Sequence, residues 1–552
     1  MAHHPTKEYG MRITLSMSAL KLCTAVLIGA CVGVALLLSA AMGAGTAVAA
    51  EQCSGENIHG EGSSLQKVAQ QLWDHENAPA GKGFILSAAI SGCNGTQGSG
   101  ASPTVTYNPS GSAAGLEGWG VNGSGKSPKE KVDQFIGTDD APNAKQLHEI
   151  DLAALAASGQ ALVIPVAQAA IAVLVHYPST CDLKENHISN SDLQKVWADE
   201  FTLWSQIAGS LGSNCNILIT RVVRKDGSGT TYQFKHYLYE KNMAILPASG
   251  GRTWKDLQPE TEPNREWPNE AADWKRSANN GGGGEVEEVE KTSGSIGYAN
   301  LGDARKGFAG GVRWLAVENE STANTFVYPG TTSGEPSETA GNANCKETKY
   351  PNQPAGIGPD DDWSEVYGGH PKGNANYPIC TLTWDVGLAM YESADLNEAL
   401  GQTAHDYLNY VVEPKGGQKD LKTHDYGEVE EAVGTYAREE AALVNLGPLV
   451  ILSENFNFGT LTLTESITKL INVTALTKVT FDTPTVTAIA GGTFTPTNLC
   501  TALLNVGESC LVHVTFKPTA MGASSATLKV PALLDGLAGT GLPALGTLKG
   551  SS

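Results

Sequence analysis

Seven consecutive residues, Arg224-Lys225-Asp226-Gly227-Ser228-Gly229-Thr230, bring a guanidinium, a carboxylate, two hydroxyls and two glycines into one turn. The apolar run Ile217 to Val223 before it reads as a strand, and a helix is expected to start near Thr230. Such a turn suits an oxyanion. Glycine lets the backbone come close, and the first amides of a helix have no carbonyl partners within it, so they point donors beyond its end. Ser228 and Thr230 would add hydroxyl donors, Arg224 a charge, and Asp226 stands where it can orient that arginine. An ordinary glycine-rich loop with a Ser cap would use the same residues, and a short glycine pattern alone does not decide between the two.

Two further stretches have the same character. Gly60-Glu61-Gly62-Ser63-Ser64-Leu65 leads into Leu65, Val68, Ala69 and Leu72 at helical spacing. Tyr107-Asn108-Pro109-Ser110-Gly111-Ser112-Ala113-Ala114-Gly115-Leu116 follows a strand-like Thr104 to Tyr107 and repeats the arrangement. Three helix ends of this kind can converge on one anion.

The ordered series formed by Gly60 to Leu65, Tyr107 to Gly115, Phe135 to Asn143, Val222 to Thr230 and Gly294 to Tyr298 resembles the phosphate-binding proteins (PstS type) of bacterial phosphate ABC transporters. The likeness runs from about Ser54 to about Val444 and includes Tyr377 to Cys380 and the stretch Tyr426 to Val444. It implies a two-lobed α/β fold of the periplasmic-binding-protein type (type II) closing on phosphate. Carried over residue by residue, it implies ligands at Ser64, Leu65 (through its amide), Ser112, Asp140, Arg224, Ser228, Gly229 and Thr230, with Asp226 behind Arg224. Two positions depart from the family: Ser64 stands where a Thr is frequent, and Ala113 where a second Ser is, which removes one hydroxyl. Asp139-Asp140 would suit a helix cap in a generic protein. Beside a phosphate, Asp140 can accept a bond only from an anion that still has a proton, and would turn away fully ionised sulfate.

The elements that must position these groups span a chain of 552 residues, long enough for several domains. Hydrophobic content of 41% and charged content of 17% describe a folded protein, and the formal charge of −21 argues against a nucleic-acid partner. Arg12 and Lys21 precede an uncharged run from Leu22 to Ala50 ending in Ala47-Val48-Ala49, the pattern of an export signal cleaved near Ala50. The alternative is a retained anchor over residues 22–41; Cys31 offers a weak lipoprotein-like site. Beyond the leader, Cys53, Cys93, Cys181, Cys215, Cys345, Cys380, Cys500 and Cys510 form an even set suited to disulfides outside the cell, and neighbour pairing is expected. Without CxxC or HExxH, a metal site has little support, and no cofactor is expected.

In chain order, residues 51–445 are expected to form the phosphate-binding domain, one lobe from about 51–165 and 312–445, the other from 166–311. Ala161 to His176 reads as buried strand interrupted at Pro165, and Trp197 and Trp204 as core. Glu285 to Glu290 would open a helix after the Gly281 to Gly284 run. From about Leu446 the composition shifts to alternating Thr and Val, with Cys510, Val512, Val514 and Phe516 on one face of a strand. Residues 446–552 therefore read as an immunoglobulin-like β-sandwich. They resemble the choice-of-anchor, abnormal-spindle-like modules of bacterial surface proteins.

The leading expectation is an exported, non-enzymatic phosphate receptor, extracellular or envelope-associated, with a membrane permease as partner. The alternatives are a phosphate-ester hydrolase with Ser228 as nucleophile, and a cell-surface adhesin. No GxSxG elbow surrounds Ser228 and no His is near it in sequence.

Overall fold

The structure, a computed structural model, describes residues from 56 onward except 75–82, 85–102, 124–132, 155–160, 182–185, 208–214, 242–264, 268–274, 320–324, 334, 347–349, 351–352, 355–360, 367–375, 392–397, 448, 454–455, 476–477, 501–502, 506 and 535–540. The expected leader, the 22–41 anchor and the Cys53 and Cys93 pair lie outside the described residues. No helix among the described residues is long and apolar enough to cross a membrane.

Eight strands make the path of the main sheet: β1 (Ile58–Gly62), β2 (Val105–Asn108), β3 (Asp133–Thr138), β4 (Ala161–His176), β5 (Thr220–Val223), β6 (Lys275–Arg276), β7 (Ser295–Asn300) and β8 (Cys380–Leu388). Their spatial order is β2-β1-β3-β8-β4-β7-β5-β6. At one end β1 runs parallel to β2 and β3; at the other β5 runs parallel to β6 and β7. Between these parallel halves, β8 and β4 pair antiparallel with each other, and join β3 and β7 respectively. The fold is thus mixed α/β and two-lobed, of the periplasmic-binding-protein type.

β4 is buried along its length up to the half-buried His176. Its near-continuous apolar sequence is what a strand covered on both faces requires, and each large aliphatic side chain so buried contributes about 1.5–3 kcal/mol. The expected break at Pro165 is absent: β4 is one strand of 16 residues. Proline has no N–H for a ladder, and the register with β8 shifts there, Trp384 facing Pro165 while Thr383 faces Ala167. The irregularity absorbs the missing donor and lets the strand continue.

Among the connections that leave the parallel strands for helices are β1 into α1 (Lys67–Trp73), β2 into α2 (Ser112–Gly118), and β5 into α3 (Gly229–Lys241). A fourth helix, α4 (Gly281–Lys291), precedes β7 and starts at the glycine run, four residues earlier than the acids predict. The acids therefore lie along the helix, and Glu285 is buried inside it. Val286 and Val289 do face one apolar cluster.

The C-terminal region contains a four-stranded and a five-stranded sheet, consistent with a β-sandwich. Phe458, Phe494 and Phe516 form part of its core, with centroids 4.5–5.9 Å apart. Disulfides join Cys181 to Cys215, Cys345 to Cys380 and Cys500 to Cys510, the neighbour pairs expected for these six.

Candidate anion site

The turns after β1, β2, β3 and β5 and the start of α4 meet in one place. Arg224, buried, makes a two-point contact with Asp226, Nε to Oδ1 at 2.9 Å and Nη2 to Oδ2. Asp226 thus fixes the guanidinium plane, and its Oδ1 also accepts the Gly281 amide at 3.1 Å. From the other half of the sheet, Ser64 Oγ accepts Arg224 Nη2 at 3.1 Å and the Gly282 amide at 3.2 Å.

The serine hydroxyls share an electronic state. Ser64 Oγ has both lone pairs occupied by N–H donors. Ser112 Oγ accepts the Asp139 amide at 3.2 Å, and Ser228 Oγ accepts the Thr231 amide at 3.2 Å as the cap of α3. A hydroxyl has one proton to give and two lone pairs. Each of the three therefore uses lone pairs on the protein, and no bond among the described residues takes its proton. At the head of α3, Ser228 satisfies the amides of Thr231 and Tyr232, so those of Gly229 and Thr230 are the ones the helix itself leaves over.

Asp139 is the hub that ties the halves together. Its Oδ1 accepts Ser63 Oγ and Thr383 Oγ1 (2.9 Å), and its Oδ2 accepts Thr230 Oγ1 at 3.0 Å. Burial lifts this carboxyl to about 6, against the pull of the three hydroxyl bonds. Asp140 is held differently. Its Oδ2 lies 2.5 Å from Arg265 Nη2, and the Thr138 hydroxyl donates to the Asp140 carbonyl at 2.7 Å, with Oδ1 3.3 Å away. Burial raises the Asp140 carboxyl, while Arg265 and Thr138 lower it.

Burial opposes the charge on Arg224, but the bonds and charge of Asp226 and the nearby Glu285 hold it above its ordinary value. Burial pushes the Glu285 carboxyl well up, against the Tyr298 amide bond and the Arg224 charge, while Asp226 makes the direct two-point contact with Arg224.

Close approach of backbones explains the glycines. A Cβ on Gly229 would stand 2.6 Å from both Asp140 Oδ1 and Ser112 Oγ. Gly111, at φ 110°, packs under Asp226, where a Cβ would lie 2.7 Å from Oδ2.

Of the residues implied by resemblance, Ser64, Ser112, Asp140, Arg224, Ser228, Gly229 and Thr230 surround this convergence. Two differ in detail from expectation. The Leu65 amide donates to Ser63 Oγ at 3.1 Å, because Ser63 caps the turn before α1. Asp140 faces a cation instead of standing as a lone carboxylate. Sequence reasoning missed five participants: Ser63, Asp139, the Gly281 and Gly282 amides, and Arg265. The glycine run before an acidic helix was a usable signal for α4, whereas Arg265 lies in a polar stretch with no local pattern.

Among the described residues, no group of three or more His, Cys, Asp or Glu is placed to hold a metal ion.

The fold, with these turns converging at the C-terminal ends of parallel strands, is of the periplasmic-binding-protein type. The family model described as the PBP superfamily domain matches residues 48–355, more than half of the chain, and the chain belongs to that superfamily. Solved structures similar to it include a high affinity periplasmic phosphate-binding protein (PfluDING) bound with phosphate, at 18% identity and TM-score 0.47, covering 69% of this chain and 93% of that one. Another is a phosphate-binding protein from Stenotrophomonas maltophilia, at 17% and 0.44, again covering 69% and 93%. PstS from Borrelia burgdorferi matches at 15% and 0.31, covering 68% and 100%. No curated protein matches the chain.

Proposed function

We propose that this protein is an exported, non-enzymatic receptor that binds inorganic phosphate between its two halves and delivers it to the membrane permease of a phosphate ABC transporter. The observation behind this reading is the donor surplus: Ser64, Ser112 and Ser228 accept from protein N–H groups and give their protons to no acceptor among the described residues, beside a buried Arg224 held flat by Asp226. A site made of donors suits an oxygen-rich anion, and a guanidinium matches a phosphate edge with two N–H bonds. Superfamily membership and the five-motif resemblance support the same reading. In it, residues 1–50 are the export leader, 51–445 the receptor, and 446–552 an immunoglobulin-like module for attachment or spacing.

A hydrolase would need a base on Ser228. Its Oγ instead accepts the Thr231 amide, which makes it a helix cap. The test is calorimetric titration of the intact protein with inorganic phosphate, together with a chromogenic phosphate ester. Saturable binding without turnover supports the receptor; turnover that disappears in Ser228→Ala establishes the hydrolase instead.

A further inference from the structure

We propose that Asp139 is a positioning residue for phosphate that takes up a proton when phosphate binds: once protonated, it turns the Thr230 hydroxyl from a bond with the protein to a bond with the anion. The proposal rests on the phosphate-receptor reading above and concerns how that site gains its donors.

Hydroxyl protons can be followed one at a time around Asp139. Ser63 Oγ accepts the amides of Leu65 and Gln66 at 3.1 and 3.3 Å, so both its lone pairs are used and its proton goes to Asp139 Oδ1. Thr383 Oγ1 accepts Gln66 Nε2 at 2.7 Å and shares its proton between Oδ1, at 2.9 Å, and the Thr138 carbonyl, at 3.0 Å. Oδ1 is therefore committed as an acceptor. Oδ2 has one bond among the described residues, from Thr230 Oγ1 at 3.0 Å, and no N–H among them donates to Thr230 Oγ1. With Asp139 ionised, the Thr230 proton belongs to Oδ2, because turning it away would leave a buried carboxylate oxygen against a lone pair. With Oδ2 protonated, the carboxyl donates to Thr230 Oγ1, and the threonine proton turns toward an anion beside the Gly229 and Thr230 amides. One proton from solvent thus adds a donor to the site and removes a negative charge from it.

The surroundings favour that exchange. Gln233 Nε2, one turn along α3 from Thr230, donates to the Asp139 carbonyl at 2.8 Å, so α3 stays in register with the β3 turn in either protonation state. The titratable and charged groups that face Asp139 are Asp140 on its own turn, with Arg265 against it, Tyr107 from β2, Tyr426, and Asp385 on β8, reached through Gln66 and Gln70. Burial and the Asp140 charge both push the Asp139 carboxyl up, to about 6. An incoming anion acts in the same sense, so it raises the carboxyl further, and protonation and phosphate binding strengthen one another.

Calorimetric titration of the intact protein with sodium phosphate from about pH 6 to about pH 8, in buffers of different ionisation enthalpy and repeated on Asp139→Asn and Thr230→Val, tests this. Asparagine offers Thr230 a permanent N–H and takes up no proton, so it supplies the extra donor at every pH. Wild-type affinity, taken relative to Asp139→Asn so that the ionisation of phosphate itself cancels, is expected to fall by about fivefold or more across that range, with more protons taken up per phosphate than in the variant. Thr230→Val should lose more affinity at the acid end, where the hydroxyl serves the anion, than at the alkaline end, where Asp139 holds it. Equal pH dependence in wild type and Asp139→Asn, or a Thr230→Val loss that does not change with pH, overturns the proposal. If Asp139→Asn does not fold, the pH dependence of the Thr230→Val loss still decides. Phosphate binding with neither effect defeats this inference alone; no phosphate binding by the wild type at any pH defeats the phosphate-receptor reading with it.

Discussion

Arg224 and Asp139 show how burial divides labour among charged side chains. Arg224 is matched by Asp226 within its own turn, so its charge reaches the site at little cost in geometry. Arg224→Gln should therefore leave the fold intact and weaken phosphate by about 1.5–3 kcal/mol, roughly ten- to hundredfold. Titration of that variant measures it directly. Asp139 and Asp385 behave in the opposite sense. Burial lifts Asp139 from 3.8 to about 6 and Asp385 from 3.8 to about 8, so the folded protein binds these protons more tightly than the unfolded chain does. Their contribution to stability is full below the unfolded value and is lost as pH rises through the folded values. At about 1.4 kcal/mol per unit, Asp139 alone weakens the fold by on the order of 3 kcal/mol between pH 4 and pH 7. Urea unfolding from pH 5 to pH 8 should show falling stability, and Asp385→Asn should gain on the wild type as pH rises; a gap independent of pH would contradict it. Of these residues, Arg224 and Asp226 were legible in sequence because both lie in one turn. Asp139 and Arg265 were not, since their roles depend on partners such as Thr383, Thr230 and Asp140 that are distant in the chain.

Elements whose sequence pattern and local geometry agree were the easiest to read. Ser189 before Asn190–Trp197 is a conventional cap, its side chain accepting the Asp192 amide. The start of α4 was misplaced because four glycines disfavour helix, yet their small size lets the helix end come close to Ser64 and Asp303. Pro165 misled for a related reason: whether a proline ends a strand depends on its neighbour, and here β8 shifts register opposite it. At this scale the sharpest prediction concerns the closed contact between the α3 start and the β3 turn. Gly229→Ala places a methyl 2.6 Å from Asp140 Oδ1 and Ser112 Oγ, so one backbone must retreat. The expected cost is about 1–3 kcal/mol, read as a roughly ten- to hundredfold loss of phosphate affinity with far-ultraviolet dichroism unchanged. Wild-type affinity in that variant would show that the halves need not approach so closely.

Across the whole molecule, the compositional change near Leu446 falls between the helix Glu431–Ala441 and the strand Val450–Leu452, and hydrogen bonds to the end of β8 run slightly past it. The amides of Asn445 and Gly447 donate to Leu388 and Ala389, and Asn445 Oδ1 accepts the Tyr391 amide. A truncation should end after Gly447; it is expected to fold and bind phosphate as the full chain does, whereas ending at Val444 removes these anchors. Loss of binding in the longer truncation would make the C-terminal β-sandwich part of the site. The disulfide Cys345–Cys380 closes a loop with a sequence separation of 35. Replacing both with Ala should cost about 3–4 kcal/mol, measured by urea unfolding under non-reducing conditions. The three described pairings were legible from neighbour spacing, while the two-lobed architecture became legible only through the resemblance, because no local pattern announces that β4 and β8 join two parallel halves. The central claim is that donors from both halves close on one phosphate. Titration of the intact protein with inorganic phosphate, beside Arg224→Gln, tests it most directly. Saturable binding of one phosphate per chain is expected, weakened by at least about tenfold in the variant. No binding by the wild type, or equal binding by the variant, would contradict it.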